Sequence, residues 1–192
     1  MGSSVGLDHF VVPYGKFFMK SFSMIITCAL LLVAITHGNG IAQENTAAAA
    51  VAEHDARVRE RLEQTDLKFE IDEDGDFKLL FEYDDDRSQI VFINSETETY
   101  EDLEIREIWA VGYVPDEENG KVPADVSANL IRANSQIKMG AWQVQKLGDK
   151  EVGVFRATIS ANADKETILD TLRLVGISAD EKEAELLGSD DL

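Results

Sequence analysis

The sequence predicts an α+β fold, a single antiparallel sheet flanked by helices in one domain, and three observations carry that reading. The first is the stretch Leu67–Tyr83, LKFEIDEDGDFKLLFEY. Leu67, Phe69 and Ile71, then Phe77, Leu79, Phe81 and Tyr83, alternate with polar residues at the period of two that puts apolar side chains on one face of a strand. Asp74-Gly75 between them is a hairpin signal, because a tight turn needs positive φ and glycine supplies it without steric cost. One face of this hairpin is expected to be buried and the other strongly acidic. The second observation is apolar spacing near the helical period at Val126, Leu130, Ile131 and Ile137, and again at Ile168, Leu169, Leu172 and Val175. The third is a pair of strand-like runs, from Trp142 and from Val152 to Ser160, turned by Leu147-Gly148-Asp149-Lys150.

Taken in order, the chain of 192 residues starts with a leader. Lys16 and Lys20 precede an apolar run, Met24–Ile35, and small residues follow it up to Gly40-Ile41-Ala42. That is the layout of a secretory signal peptide cleaved after Ala42. The run is well short of the ~20 residues that span a membrane; an uncleaved anchor is the alternative. Met19-Lys20-Ser21-Phe22 would itself open a normal signal peptide, so Met19 is a second candidate start. The expected organisation is a leader over 1–42, an N-terminal helix over 43–66, an α+β domain over 67–187 and a disordered tail over 188–192. Such a protein works in the periplasm or outside the cell.

Beyond the leader, alanine, arginine and glutamate predict the first helix up to Gln64, with His54 on its surface. The hairpin follows, then a compact apolar strand over Ser88–Asn94, a polar irregular stretch over Ser95–Asp102, and a strand over Leu103–Val114 that is either independent or a continuation of the one before. Pro123 suits the first turn of a central helix, where its missing N–H costs nothing, and Gly140 is a natural stop. After the strand pair, Asn162 or Asp164 caps a last helix, and a separate apolar turn at Leu186 and Leu187 is expected beyond Gly176. The order is helix, three or four strands, helix, two strands, helix.

Charge and residue inventory exclude several function classes. The net charge is −19, and losing a leader that carries Asp8, Lys16 and Lys20 takes it to −20. Nucleic acids and anionic membranes need basic patches to displace counterions, so neither is an expected partner. Cys28, the only cysteine, lies in the leader, as do His9 and His37. The remaining chain has no thiol nucleophile and no disulfide, and His54 alone cannot build a histidine- or cysteine-rich zinc site.

The hairpin Phe69–Phe77, the central helix with Leu130, Asn134 and Gly140-Ala141-Trp142, and the closing helix Ile168–Val175 running into Ala179-Asp180-Glu181 together resemble the YbjN-type domain. The resemblance covers about residues 50–187. It implies a fold similar to type III secretion chaperones, and a role as a regulatory or chaperone-like binding module without an agreed active site. The leader sets this chain apart from the cytoplasmic members.

No catalytic, cofactor-binding or metal-ligating residue is therefore expected. Asp72–Asp76 fails as a calcium loop: on EF-hand spacing from Glu70, the twelfth position is Phe81, where a bidentate glutamate is needed. From Lys68 to Glu104 the chain holds 14 acids against Lys68, Lys78 and Arg87, a local net of −11. This is either a solvated sheet face with its loops or a surface for a basic protein or peptide. The candidate partner-binding residues are the aromatics Trp109, Trp142, Phe81 and Phe155, which would line an apolar groove or else form the core, and the acids Asp84, Asp85 and Asp86. Asn134 is expected to tie helix to strand by hydrogen bonds. A homodimer is compatible with this reading. A carboxylate-dependent hydrolase and a calcium-stabilised structural protein are the alternatives from other classes.

Overall fold

In the computed structural model the described residues are 53–83, 86–116 and 120–188, so the leader, its cleavage site, Met19 and the tail beyond Gly188 lie outside them. The chain is α+β, with one antiparallel sheet and three helices among the described residues. Its elements are α1 (Ala56–Leu62), β1 (Glu70–Ile71), β2 (Phe77–Glu82), β3 (Ser88–Ile93), β4 (Glu98–Tyr100), β5 (Leu103–Tyr113), α2 (Ala124–Ala133), β6 (Ala141–Leu147), β7 (Lys150–Ser160) and α3 (Lys165–Leu186). The sheet runs β1-β2-β3-β5-β7-β6, with β4 paired to β5 beside β3. Five strands thus precede α2. Leu103–Tyr113 is a strand of its own, and a short strand occupies part of the stretch expected to be irregular.

The Asp-Gly hairpin forms as its chemistry demands. Gly75 takes φ 87°, and the Asp72 carboxylate accepts from Asp74 N–H (3.1 Å) and Asp76 N–H (2.9 Å). Phe77, Leu79 and Phe81 of β2, Val91 and Ile93 of β3, and Ile108 and Ala110 of β5 all point to one face of the sheet and are buried. All three helices cover that face. Val58 and Leu62 of α1 and Ile168, Leu172, Val175 and Ala179 of α3 complete the core. Leu130 of α2 sits over Gly153, where a Cβ would meet it at 2.9 Å.

Three expectations about helices need correction. The first helix begins only at Ala56, and His54 precedes it, its Nε2 accepting from Arg59 (2.7 Å). The central helix ends at Ala133 instead of near Gly140, because the Asn134 side chain turns to the next strand. The last helix does not break at Gly176 but runs 22 residues to Leu186. Gly176 is there for close approach: a Cβ would lie 2.8 Å from the Tyr83 hydroxyl and 3.3 Å from Val91.

Candidate functional interface

Strand alternation decides what the other face of the sheet carries. With Ile108 and Ala110 of β5 inward, Leu103, Ile105, Glu107, Trp109 and Val111 point outward. Cross-strand partners share a face, so Phe92 and Ile90 of β3 and Leu80 of β2 join them. The result is an apolar band on the face that no helix of the described residues covers. Leu80 is 59% exposed and Leu103 56%, while Ile90, Phe92, Ile105, Trp109 and Val111 are half-buried. At the β4–β5 tip, Tyr100 faces Leu103 and is also exposed.

The centre of the band is held rigid. The Trp109 and Phe92 rings stack with centroids 4.4 Å apart and planes 14° from parallel. Trp109 Nε1 donates to Asn94 Oδ1 (2.6 Å). The Asn94 amide reaches Glu107 (3.4 Å), Glu107 pairs with Arg156 (2.9 Å), and Arg156 donates to Gln145 (2.6 Å). This chain of polar contacts satisfies the indole N–H from within the protein and leaves its ring surface for contact. Rigid aromatic anchors of this kind dominate recognition surfaces.

Beyond Phe92↔Trp109 and Ile93↔Ile108, β3 and β5 share no further pairs and separate. The Gln89 side chain spans the gap, its Nε2 donating to Val111 C=O (2.9 Å). Where the strands part, a cavity of about 220 Å³ opens, lined by Gln89, Ile90, Phe92, Val111 and Val114. It is an apolar recess continuous with the band.

The acids do not coat this face. β2 places Lys78, Leu80 and Glu82 there, and only one of the three is acidic. Most acids between Lys68 and Glu104 sit in turns, which corrects the expectation of a strongly acidic sheet face. Around the hairpin turn, Asp74, Asp76, Asn94 and Glu96 line a second cavity of about 250 Å³. Burial pushes the Asp76 carboxyl up, against a lowering hydrogen bond from Ser95 N–H (2.7 Å), and Asp72, Asp74 and Glu96 add to the rise. Among the described residues no group of three or more histidine, cysteine or acidic side chains is arranged to hold a metal ion.

The candidate residues separate. Phe81, Trp142 and Phe155 are in the core, Trp142 and Phe155 meeting edge to face at 5.3 Å, so they line no open groove. Trp109 alone of the four aromatics reaches the open face. Asp86 is exposed in a turn at φ 62°, and Asp84 and Asp85 lie outside the described residues.

A second cluster, not anticipated from the sequence, is structural. Arg106 points to the helix-covered face with 1% of its side chain exposed. It donates to the Asp55 carboxylate and to the Asn94 and Ser95 carbonyls. Asp55 caps α1 by accepting from Arg57 N–H (2.8 Å), and Arg57 grips Glu104 through two bonds of 2.8 Å. Burial works to raise the Asp55 carboxyl, but bonds from Arg57 and Arg106 outweigh it and hold the group well below the usual carboxylate range. Arg57 and Thr97 bring Glu104 down to about 2. With its partners already inside the protein, this network is a clasp of α1, β5 and the β3–β4 loop.

Comparison with known protein families, with curated proteins and with solved structures finds no match to this chain. Among the described residues no helix is long and apolar enough to cross a membrane.

Proposed function

We propose that this protein is a non-catalytic, exported binding module that docks an apolar segment of a basic protein partner on the open face of its sheet. The observation that carries the reading is the aromatic band centred on Trp109 and Phe92. An antiparallel sheet with one solvated face normally alternates apolar and polar residues. Here the solvated face is apolar along β3 and β5 as well. A contiguous exposed apolar patch on a soluble domain marks an interaction surface. The acidic turns that rim it, with a local net of −11 over residues 68–104, favour a basic partner by steering and by excluding acidic competitors. The leader directs the chain to the periplasm or the exterior, and the resemblance to YbjN-type, secretion-chaperone-like domains agrees with a role in binding other proteins. The hydrolase alternative is less well supported, since Asp76, a carboxyl that burial pushes up, is already engaged by Ser95 N–H within the turn.

Photocrosslinking tests this reading. A benzophenone side chain is placed at position 92 in the full chain, expressed in its producing cell, and at position 131 as a control, since Ile131 is exposed on α2. Adducts to one basic protein from position 92 and not from 131 are expected, and Phe92→Glu should abolish binding of that protein once purified. Equal labelling from both positions, or none from position 92, would refute the reading.

A further inference from the structure

We propose a second interaction surface, distinct from the aromatic centre of the open face and meeting it only at Leu80: the outer edge of β6 pairs with the outer edge of β2 in another copy of this chain. β6 is the last strand of the sheet, bonded only to β7. Asn134 at the end of α2 identifies which of its backbone groups face outward. The Asn134 amide donates to Trp142 C=O (3.1 Å) and accepts from Trp142 N–H (2.7 Å). A side-chain amide here takes the place of a neighbouring strand, so Trp142 belongs to a pair that does not exchange bonds with β7. In an antiparallel ladder such pairs alternate, so Val144 and Lys146 also turn their N–H and C=O groups outward. Nothing among the described residues caps them, and Val144 is 42% exposed.

The opposite edge has the same form. Tyr83 N–H bonds Arg87 C=O at 2.8 Å. That places Tyr83, Phe81 and Leu79 in the pairs that exchange bonds with β3, and turns Leu80 and Glu82 outward. β1 pairs only with Phe77 and Lys78, leaving Leu80 and Glu82 without a strand beside them. Each edge thus presents two outward residues, one of them an exposed aliphatic.

Charge selects the pairing. Residues 131–156 hold Arg132, Lys138, Lys146, Lys150 and Arg156 against Asp149 and Glu151, a basic stretch in a chain of net −19. The β2 edge belongs to the acidic stretch. Joining β6 to β6 would set this basic stretch against its own copy, whereas joining β6 to β2 sets it against the acidic stretch. Strands alternate in direction across the sheet, so β2 and β6 run the same way, and simple repetition of the molecule pairs them in parallel. The contact is heterologous, so it continues past the dimer into a ring or a filament.

Proline at an outward position removes an N–H that no ladder uses, and edge strands tolerate it. Sedimentation velocity of the full chain should show mass rising with concentration and no stop at dimer. Val144→Pro and Leu80→Pro should each be monomeric alone. Mixed, they should give a 1:1 complex, since each retains the edge the other lacks. Lys146→Glu, which leaves the backbone untouched, should weaken self-association at least tenfold even if a proline variant fails to fold. Three results would each overturn the proposal: a wild type monomeric up to about 1 mM, the weak end of specific association; self-association that survives in Leu80→Pro or Val144→Pro alone; or self-association removed by Phe92→Glu, which would place the contact on the open face.

Discussion

The two faces of the sheet are built from the same strands and nearly the same residue types, yet they end in opposite states. On the helix-covered face Phe77, Val91, Ile93, Ile108 and Phe155 have no measurable exposure. On the other face their immediate neighbours, Ile90, Phe92, Trp109 and Val111, stay half-buried beside an exposed Leu80. Charge does not mark the faces either, since Arg106, with 1% of its side chain exposed, is on the covered face. Apolar area is therefore spent on stability on one side and left available on the other. Polarity of sequence alone does not report which side is which.

That contrast can be broken from the covered face with the largest effects. Arg106→Ala leaves Asp55 with Arg57 alone of its two cationic partners and strips the Asn94 and Ser95 carbonyls of their donor, and removing one member of a buried pair costs ~3–5 kcal/mol; denaturant titration should show it as a large drop in midpoint. Phe155→Ala empties the centre of the core and should cost about 3–5 kcal/mol by the same assay.

The open face should respond differently. Trp109→Ala gives up the Phe92 stack, worth about 0.5–1.5 kcal/mol, and the bond to Asn94, so stability should fall only modestly. Phe92→Glu should change stability less than Phe155→Ala does, while abolishing binding of the partner captured through position 92. A Phe92→Glu variant as unstable as Phe155→Ala would mean that the band is core and not interface.

The smallest effects concern pH. Asp55 and Glu104 are held below their unfolded values, near 4, so the clasp contributes its full stability above that point. The contribution is lost as pH falls through the folded values, about 2 for Glu104 and lower still for Asp55. Asp55→Asn should flatten the acid limb of a stability-versus-pH curve below pH 4. Asp76 is shifted the other way, so Asp76→Asn should raise stability slightly at neutral pH, read as a higher thermal midpoint.

Much of the fold was legible because local chemistry dictates it: the Asp74-Gly75 turn, the Asp164 cap accepting from Thr167 N–H (2.8 Å), and Asn134 bridging to Trp142. The face of β5 was not. Ile105, Trp109 and Val111 form the more apolar stripe, which periodicity alone would bury, with Arg106 opposite. Arg106 is buried because Asp55, 51 positions away, reaches it, and no periodicity carries a pairing at that separation. Gly176 was read as a break for a similar reason, since its role depends on Tyr83 and Val91 packing from the sheet. The run Ile90-Val91-Phe92-Ile93 did hold a signal. Apolar residues on both faces of one strand call for a cover on both sides, and among the described residues only one side has a helix.

On the proposed function, Trp109 and Phe92 are covered in the cell by a basic protein. Hydroxyl-radical footprinting of the full chain, isolated gently from its producing cells and again after a high-salt wash, tests it most directly. The account predicts protection of Trp109, Phe92 and Leu80 before the wash and their oxidation after it, with Ile131 reactive throughout. Equal oxidation of Trp109 and Phe92 in both samples would contradict it.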